Sequence, residues 1–326
     1  MGALPSPWTL AGLAIAAAAA LVFPLGVSDY LVHITIISIY YAMLASSWAL
    51  LAGHAGQFSF AHMALAALGG YSSALLVQYT GLPVPIGMVA AILLPAITGG
   101  LIGWLCLRMS GPYLALFTLA FAVIFQLILI AEYEFTRGSL GLEVVPLFSG
   151  HGERVYYYTA LGLLGVSLVA MHALVRSRVG LFLQAIREDE DAAEACGVAT
   201  ARFKILVFTL SSAVAGLAGA FYGHYVGILT PNIVTIPEMG LVVAMAVVGG
   251  IESLTAAVIG AIVVYIASEE LRDFGQLRFV LLGLAIMLTQ RFAQNGLATP
   301  LIERLERRRR RTAEAVDIDS KAISGA

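Results

Sequence analysis

Long apolar runs separated by short polar turns dominate this chain. Runs near 8–27, 30–52, 62–80, 84–107, 113–131, 156–175, 205–226 and 277–292 come close to the roughly 20 apolar residues a helix needs to cross a bilayer. Breaks fall at turn-forming text: Gly81-Leu-Pro-Val-Pro85, Ser110-Gly-Pro112, Thr230-Pro231 and Pro237. The run 239–268 is longer than one span and is interrupted at Gly249-Gly250-Ile251-Glu252-Ser253.

Basic residues prefer the cytoplasmic side of a membrane. Arg307–Arg311, with Arg304 just before, follow the last run, and Arg176, Arg178, Arg187, Arg202 and Lys204 fill a central polar block. Arg108 points the same way. If both clusters are cytoplasmic, 205–226 runs outward, 227–238 is external and the last span runs inward. The run 239–268 must then begin and end outside, as two pieces of roughly 11 and 15 residues that reach only about 16–23 Å. It is therefore expected to be a discontinuous or re-entrant pair. Non-helical backbone at membrane depth survives only inside protein or beside a water-filled cavity, so 249–253 is expected near a translocation path.

The predicted fold is an all-α polytopic membrane protein with about ten membrane segments, the pair included, and both termini cytoplasmic. Residues 1–303 form the transmembrane domain, with the cytoplasmic loop 176–204 inside it. Residues 304–326 form a basic juxtamembrane segment and a disordered tail, the arginines fixing topology and touching anionic lipid.

Composition agrees with this reading. Hydrophobic residues make up 60% and charged residues 12% of the chain, with a mean hydropathy of +0.91. Only Asp29 and Arg108 are charged within residues 1–131, too few for a water-soluble surface. No basic residue precedes Arg108, so the run 8–27 is expected to be a retained span rather than a cleaved leader. Cys106 and Cys196 offer neither a disulfide framework nor metal spacing.

Candidate chemistry lies in three places. The block 185–204 holds five acids (Glu188, Asp189, Glu190, Asp191, Glu194) and three bases (Arg187, Arg202, Lys204). Its composition predicts a helix over 185–197, Arg187 and Asp191 sharing a face at i,i+4 and Gly197 ending it. Small Ala192, Ala193 and Ala195 would let another surface approach; a solvated loop is the alternative. The second place is the glycine-rich break Gly53–His62, with Gln57, Ser59 and His62. The third is Gly249, Gly250, Glu252 and Ser253. The text 66–73 faintly repeats 246–253, as paired broken helices of a transporter would. Gln126, Ser211, Ser212 and His224 are further intramembrane polar groups. Any of these could line a path or serve as a helix–helix hydrogen bond worth about 0.6 kcal/mol.

Asp191-Ala192-Ala193-x3-Gly197-x9-Val207 resembles the coupling loop of ABC-importer permeases. Asp stands here for that loop's Glu and Val for its Ile, and the closing Leu-Pro is absent. The surrounding text 177–231 resembles the LivM-type permease family of branched-chain amino acid ABC transporters. So do 56–76, 108–121, 136–142, 238–261 and 278–297, in the same order. The resemblance implies ATPase-coupling roles for Gly180, Arg187, Asp191, Ala192, Ala193 and Gly197. Independently of the resemblance, polar groups beside irregular backbone make Gln57, Ser59, His62, Gly249, Gly250, Glu252 and Ser253 the candidate translocation path.

The partners it implies are a second permease, two ATPase subunits and an extracytoplasmic binding protein, which loops 132–155 and 227–238 could meet. It also implies a multi-pass place in a bacterial or archaeal cytoplasmic membrane and transport by alternating access. Leu, Ile and Val would suit an apolar path; urea, short amides or other small amino acids are the alternative cargo. No cofactor is expected in this chain. With no G-x-x-x-x-G-K-[ST] text, ATP hydrolysis would fall to a separate chain.

An ion-coupled carrier is a second reading, with Glu252 its clearest central acid. An enzyme is a third, but paired carboxylates, metal-ligand spacing and a nucleophile elbow are all missing. His54 and His62, across a glycine loop, make no convincing ligand set, and nucleic-acid binding is not expected.

Overall fold

The computed structural model describes residues 20–292, except 108, 110, 149, 151 and 276, together with Gly296. The expected first span therefore lies mostly outside the described residues, as do Arg304–Arg311 and the tail.

The structure is built from helices. Asp29–Ala49 (α1) continues through a π-helical turn at Leu50–His54, giving 26 residues, about 39 Å. α2 is His62–Thr80, α3 Val84–Leu105, α4 Pro112–Ala131 and α5 Glu153–Arg176. Two short helices follow, Arg178–Glu188 (α6) and Glu190–Ala195 (α7). Then come α8 (Thr200–Val226), α9 (Ile236–Gly249), α10 (Leu254–Glu270) and α11 (Leu277–Phe292). Turn chemistry sets several ends: Pro112 opens α4 after Gly111, while Gly81 and Gly227 follow α2 and α8 with φ of 67° and 80°.

α1 is the central helix and is almost wholly buried, from Val32 to His54. α8, α9, α10 and α5 pack around it. α2, α3 and α8 form the tightest sub-bundle because glycines let their backbones touch. A Cβ on Gly219 would lie 1.8 Å from the Ala66 carbonyl oxygen, and one on Gly69 would lie 2.3 Å from the Gly216 carbonyl oxygen. Pro95, inside α3, packs on Gly216 from the other side. The outer faces of α3, α4 and α5 expose Leu93, Ile97, Trp104, Leu116, Ile124, Leu127, Val166 and Val169, an apolar surface suited to lipid.

Among the described residues, five helices are long and apolar enough to cross a bilayer: α1, α3, α4, α5 and α8. The pair α9 and α10 passes that standard together but is bent by 120° at residues 250–253, the broken segment expected from charge parity. Its pieces are longer than expected, 14 and 17 residues. α2 forms where a span was predicted, yet it is not among the five; its face carries glycines, serines and His62. α11 has only 16 residues.

Two expectations are corrected. The block 185–197 is not one helix, because Asp189 takes an extended conformation and its carboxylate caps α7 by accepting from the Ala192 N–H at 3.0 Å. Nor does the repeated text at 66–73 and 246–253 give a repeated structure. Residues 66–73 lie within unbroken α2, where Gly69 and Gly70 serve helix packing, whereas Gly250, with φ of 133°, ends α9.

The two loops expected to be external meet. β1 (Leu142–Glu143) pairs antiparallel with β2 (Ile228–Leu229), and Val144 N–H donates to the Gly227 carbonyl at 2.9 Å. Leu229, Pro231 and Val234 are buried, so 227–235 is tucked against the helices rather than standing free.

Candidate coupling and translocation site

The α5–α6 turn is tight enough to require glycine. A Cβ on Gly180 would lie 1.9 Å from the Val175 carbonyl oxygen. Ser177 caps α6 by accepting from the Val179 N–H, and Leu183 and Ile186 anchor the helix by its buried face. α7 ends in a Schellman motif: Gly197 N–H donates to the Glu194 carbonyl and Val198 N–H to the Ala193 carbonyl. Gly197 has φ of 84°, which suits glycine. Ala193 faces inward, leaving Asp191, Ala192, Glu194 and Ala195 exposed. Lys204 is buried and ion-pairs with Glu190, tying α7 to the base of α8.

Arg187 does not pair with Asp191, since the break at Asp189 removes their common helical face. Its guanidinium turns inward instead. Nη1 donates to the Gly53 carbonyl at 2.6 Å and lies 3.2 Å from a Glu252 carboxylate oxygen, while Nη2 meets Glu188 at 2.9 Å. One side chain thus joins α6 to the end of α1 and to the α9–α10 break. The glycines make the approach possible. A Cβ on Gly53 would lie 1.8 Å from the Ile251 carbonyl oxygen, and Gly56 (φ 67°) faces the Arg187 side chain. Gly249 packs equally tightly on α10, where a Cβ would lie 2.1 Å from the Ala256 carbonyl oxygen. Ser253 caps α10 by accepting from the Ala256 N–H.

The polar residues of the 56–62 break are buried and bonded within the protein. Gln57 donates to the Ala55 carbonyl, and the Ser59 hydroxyl accepts from the Ala61 N–H, while Trp48 Nε1 donates to the Ser59 carbonyl at 2.7 Å. His62 Nε2 meets the Ser211 hydroxyl at 2.8 Å, and that hydroxyl donates to the Ser47 carbonyl at 2.7 Å. His224 bridges Ser73 and the Val145 carbonyl, and Gln126 donates to the Pro231 carbonyl. Ser212 fills the crossing opposite Gly99. Of the candidate path residues, only Glu252 and Ser253 reach solvent in this conformation.

That difference is measurable. In a Cys196→Ser background, which removes an exposed native thiol, cysteines at 252 and 253 are expected to react with a water-soluble maleimide. Cysteines at 57, 59 and 62 are expected to stay protected in the same conformation. Equal labelling at all five positions would contradict the burial described.

A group absent from the sequence reading lies farther along α1. Tyr40 and Tyr41 are buried there, and the Tyr41 hydroxyl donates to Glu238, in the first turn of α9, at 2.7 Å. Tyr222 of α8 and Tyr265 of α10 complete the cluster. The available signals were an adjacent tyrosine pair inside an apolar run and an acid directly after Pro237. Neither says that the two meet. Among the described residues, no group of His, Cys, Asp and Glu could hold a metal ion.

Comparison with known proteins gives the family. A family model described as "Branched-chain amino acid transport system / permease component" matches residues 30–290. The high-affinity branched-chain amino acid transport system permease protein LivM of Escherichia coli K12 is 30% identical over 85% of this chain and 72% of its own length. LivH of the same organism is 27% identical over 76% of this chain and 90% of its own. The fructose import permease protein FrcC of Rhizobium meliloti is 25% identical over 67% of this chain and 65% of its own. No solved structure matches the chain. With the family model spanning nearly every described helix, the chain belongs to the branched-chain amino acid transport permeases.

Proposed function

We propose that this chain is a permease subunit of an ATP-driven importer for branched-chain amino acids, working by alternating access. It acts with a second permease of the same family, two ATPase subunits and an extracytoplasmic binding protein. It lies in a bacterial or archaeal cytoplasmic membrane as ten segments with both termini cytoplasmic. ATP is hydrolysed by the separate ATPase chains, and this chain carries no cofactor of its own.

The observation behind the coupling mechanism is the Arg187 contact. α7 presents a small, exposed face, and its caps make it a rigid knob. A push on that knob passes through α6, one residue away, to Arg187. From there it reaches both the end of α1 and the re-entrant tip at Glu252. Displacing the tip while α1 stays packed would alter the inner end of the path. The cargo class rests on the relatives LivM and LivH, whose names specify branched-chain amino acids. One relative is named for fructose import, so the cargo class rests on likeness to LivM and LivH and not on membership of the wider group.

Ala192→Trp tests the docking face. The side chain points to solvent in this chain, so the fold should tolerate it, while a closely fitted ATPase should not. Expected is loss of ATPase co-purification from mild detergent with an unchanged elution profile for the permease. Full ATPase recovery with Ala192→Trp would remove α7 from the interface. Uptake that persists without any ATPase and collapses with an ionophore would replace the importer by an ion-coupled carrier.

A further inference from the structure

Tyr41 is the thirteenth of the 26 residues in Asp29–His54 and so marks the middle of the most buried apolar helix. Glu238, hydrogen-bonded to it at 2.7 Å, therefore lies near mid-depth and not in an outer loop. An acid at that depth is costly, and such residues in transport proteins are found on substrate and ion pathways. Partial compensation comes from its place in the first turn of α9, where the helix dipole favours a carboxylate. Among the described residues no base forms an ion pair with it.

Around this carboxylate runs a continuous row of tyrosines from three helices. Ring centroids lie 4.6 Å apart for Tyr222 and Tyr40, 5.0 Å for Tyr40 and Tyr41, and 5.2 Å for Tyr41 and Tyr265. Tyr40 and Tyr41 form the buried back of the group. Tyr222, Tyr265 and Glu238 are half-buried, so the group is open on one side. Electron-rich ring faces, hydroxyl oxygens that accept and one unneutralised carboxylate are together suited to a primary ammonium. Its three N–H groups can be shared between the carboxylate and hydroxyls, with a cation–π term from the rings. A neutral amide or a sugar leaves the charge unanswered.

We propose that Glu238, with Tyr40, Tyr41, Tyr222 and Tyr265, forms an intramembrane site for the α-ammonium group of amino-acid cargo. The site rests on the importer reading above and narrows its cargo to molecules carrying that group. Transporters commonly place substrate sites near the midplane at discontinuous helices, whose N-termini face an anionic group; here that anion is the Glu238 carboxylate, to which the ammonium would bind. The open side of the group faces away from this chain's core, where the second permease would supply the remaining wall.

The test is equilibrium binding of tritiated L-leucine to the complete permease–ATPase assembly in lipid nanodiscs, without the binding protein. The competitors are L-leucinol, which keeps the ammonium and lacks the carboxylate, and 4-methylpentanamide, which lacks the ammonium. Leucinol is expected to displace leucine and the amide is not. Glu238→Gln should weaken leucine binding by about tenfold, the scale of one lost charge-assisted hydrogen bond. Glu238→Asp, which keeps the charge, should retain the preference for leucinol.

Wild-type affinity in Glu238→Gln, equal competition by the amide, or no saturable leucine binding would each overturn the site. If Glu238→Gln fails to assemble, competition on the unaltered protein still decides the matter. Leucinol-sensitive binding together with ATP-independent uptake would leave the site standing and remove the importer reading. ATP-driven uptake of a neutral amide without leucinol competition would do the reverse.

Discussion

Arg187→Glu is expected to reduce substrate uptake by the reconstituted importer by at least about tenfold while the ATPase subunits remain bound and active. The fold itself should survive the substitution. Arg187 is partly exposed and Glu252 largely so, and an exposed ion pair contributes only about 0.2–1 kcal/mol. The bond from Nη1 to the Gly53 carbonyl adds about 1.5–3 kcal/mol as a charged-group hydrogen bond, since that carbonyl lies in a buried turn. A loss of that size leaves an extensively packed bundle folded, yet it removes the hydrogen bond that joins α6 to the end of α1 and the ion pair that joins it to the α9–α10 break.

The substituted carboxylate would also face Glu188 and Glu252 and push the three apart. Parallel uptake and ATPase assays in proteoliposomes check the result, which predicts ATP turnover that no longer responds to loaded binding protein. An unchanged ratio of uptake to ATP hydrolysed would mean that the drive passes elsewhere. Arg187→Glu combined with Glu252→Arg restores opposite charge but not the bond to Gly53. It therefore separates the ion pair from the carbonyl contact as the carrier of coupling.

Gly219→Leu should have the largest effect on folding. Its Cβ would lie 1.8 Å from the Ala66 carbonyl oxygen and 2.4 Å from the Ala66 carbonyl carbon, both backbone atoms that no rotamer change can move. Overpacking of an ordinary core costs about 1–3 kcal/mol, and a backbone collision at a helix crossing belongs at or above the top of that range. α8 would have to separate from α2, displacing the His62–Ser211 contact and the Gly69–Gly216 crossing with it. Loss of the monodisperse peak in detergent chromatography and a fall in Tm of many degrees are expected. Gly162→Leu is the matched control: nothing lies within 4 Å of its Cβ position, and helix propensity there favours leucine. Similar behaviour of the two variants would mean that the α2–α8 crossing is not the constraint described.

The features legible in the sequence were local ones. Apolar runs and turn residues located the helices, because a chain in lipid must satisfy its backbone within each segment. Charge parity placed a break at 249–253, and Gly250 does end α9 there. Gly197 reads as a stop in the sequence, and its Schellman bonds follow from its left-handed backbone. The break at Asp189 is not legible in the sequence, because the same acidic text suits a helix interior or a cap. What separates them is whether the residue's own backbone turns extended, which depends on how α6 and α7 must fold back toward α8.

The glycine pairs at 69–70 and 249–250 carry the same ambiguity. Glycine permits both a close helix crossing and a break, and the neighbour decides which. For Gly69 the neighbour is the backbone of Gly216; Gly249 packs against α10, and Gly250 turns the chain.

The sequence by itself determined the membrane class of this protein, the positions of its long described helices and the family, through hydropathy, punctuation and motif text. Tertiary structure alone decided which polar groups act together. Arg187 meets Gly53 across 134 residues and Tyr41 meets Glu238 across 197, and neither pairing leaves a periodic trace. A hydrogen bond between distant segments depends on crossing angles and depths set by many small contacts at once, such as the glycine seams. One-dimensional order records each partner but not their distance.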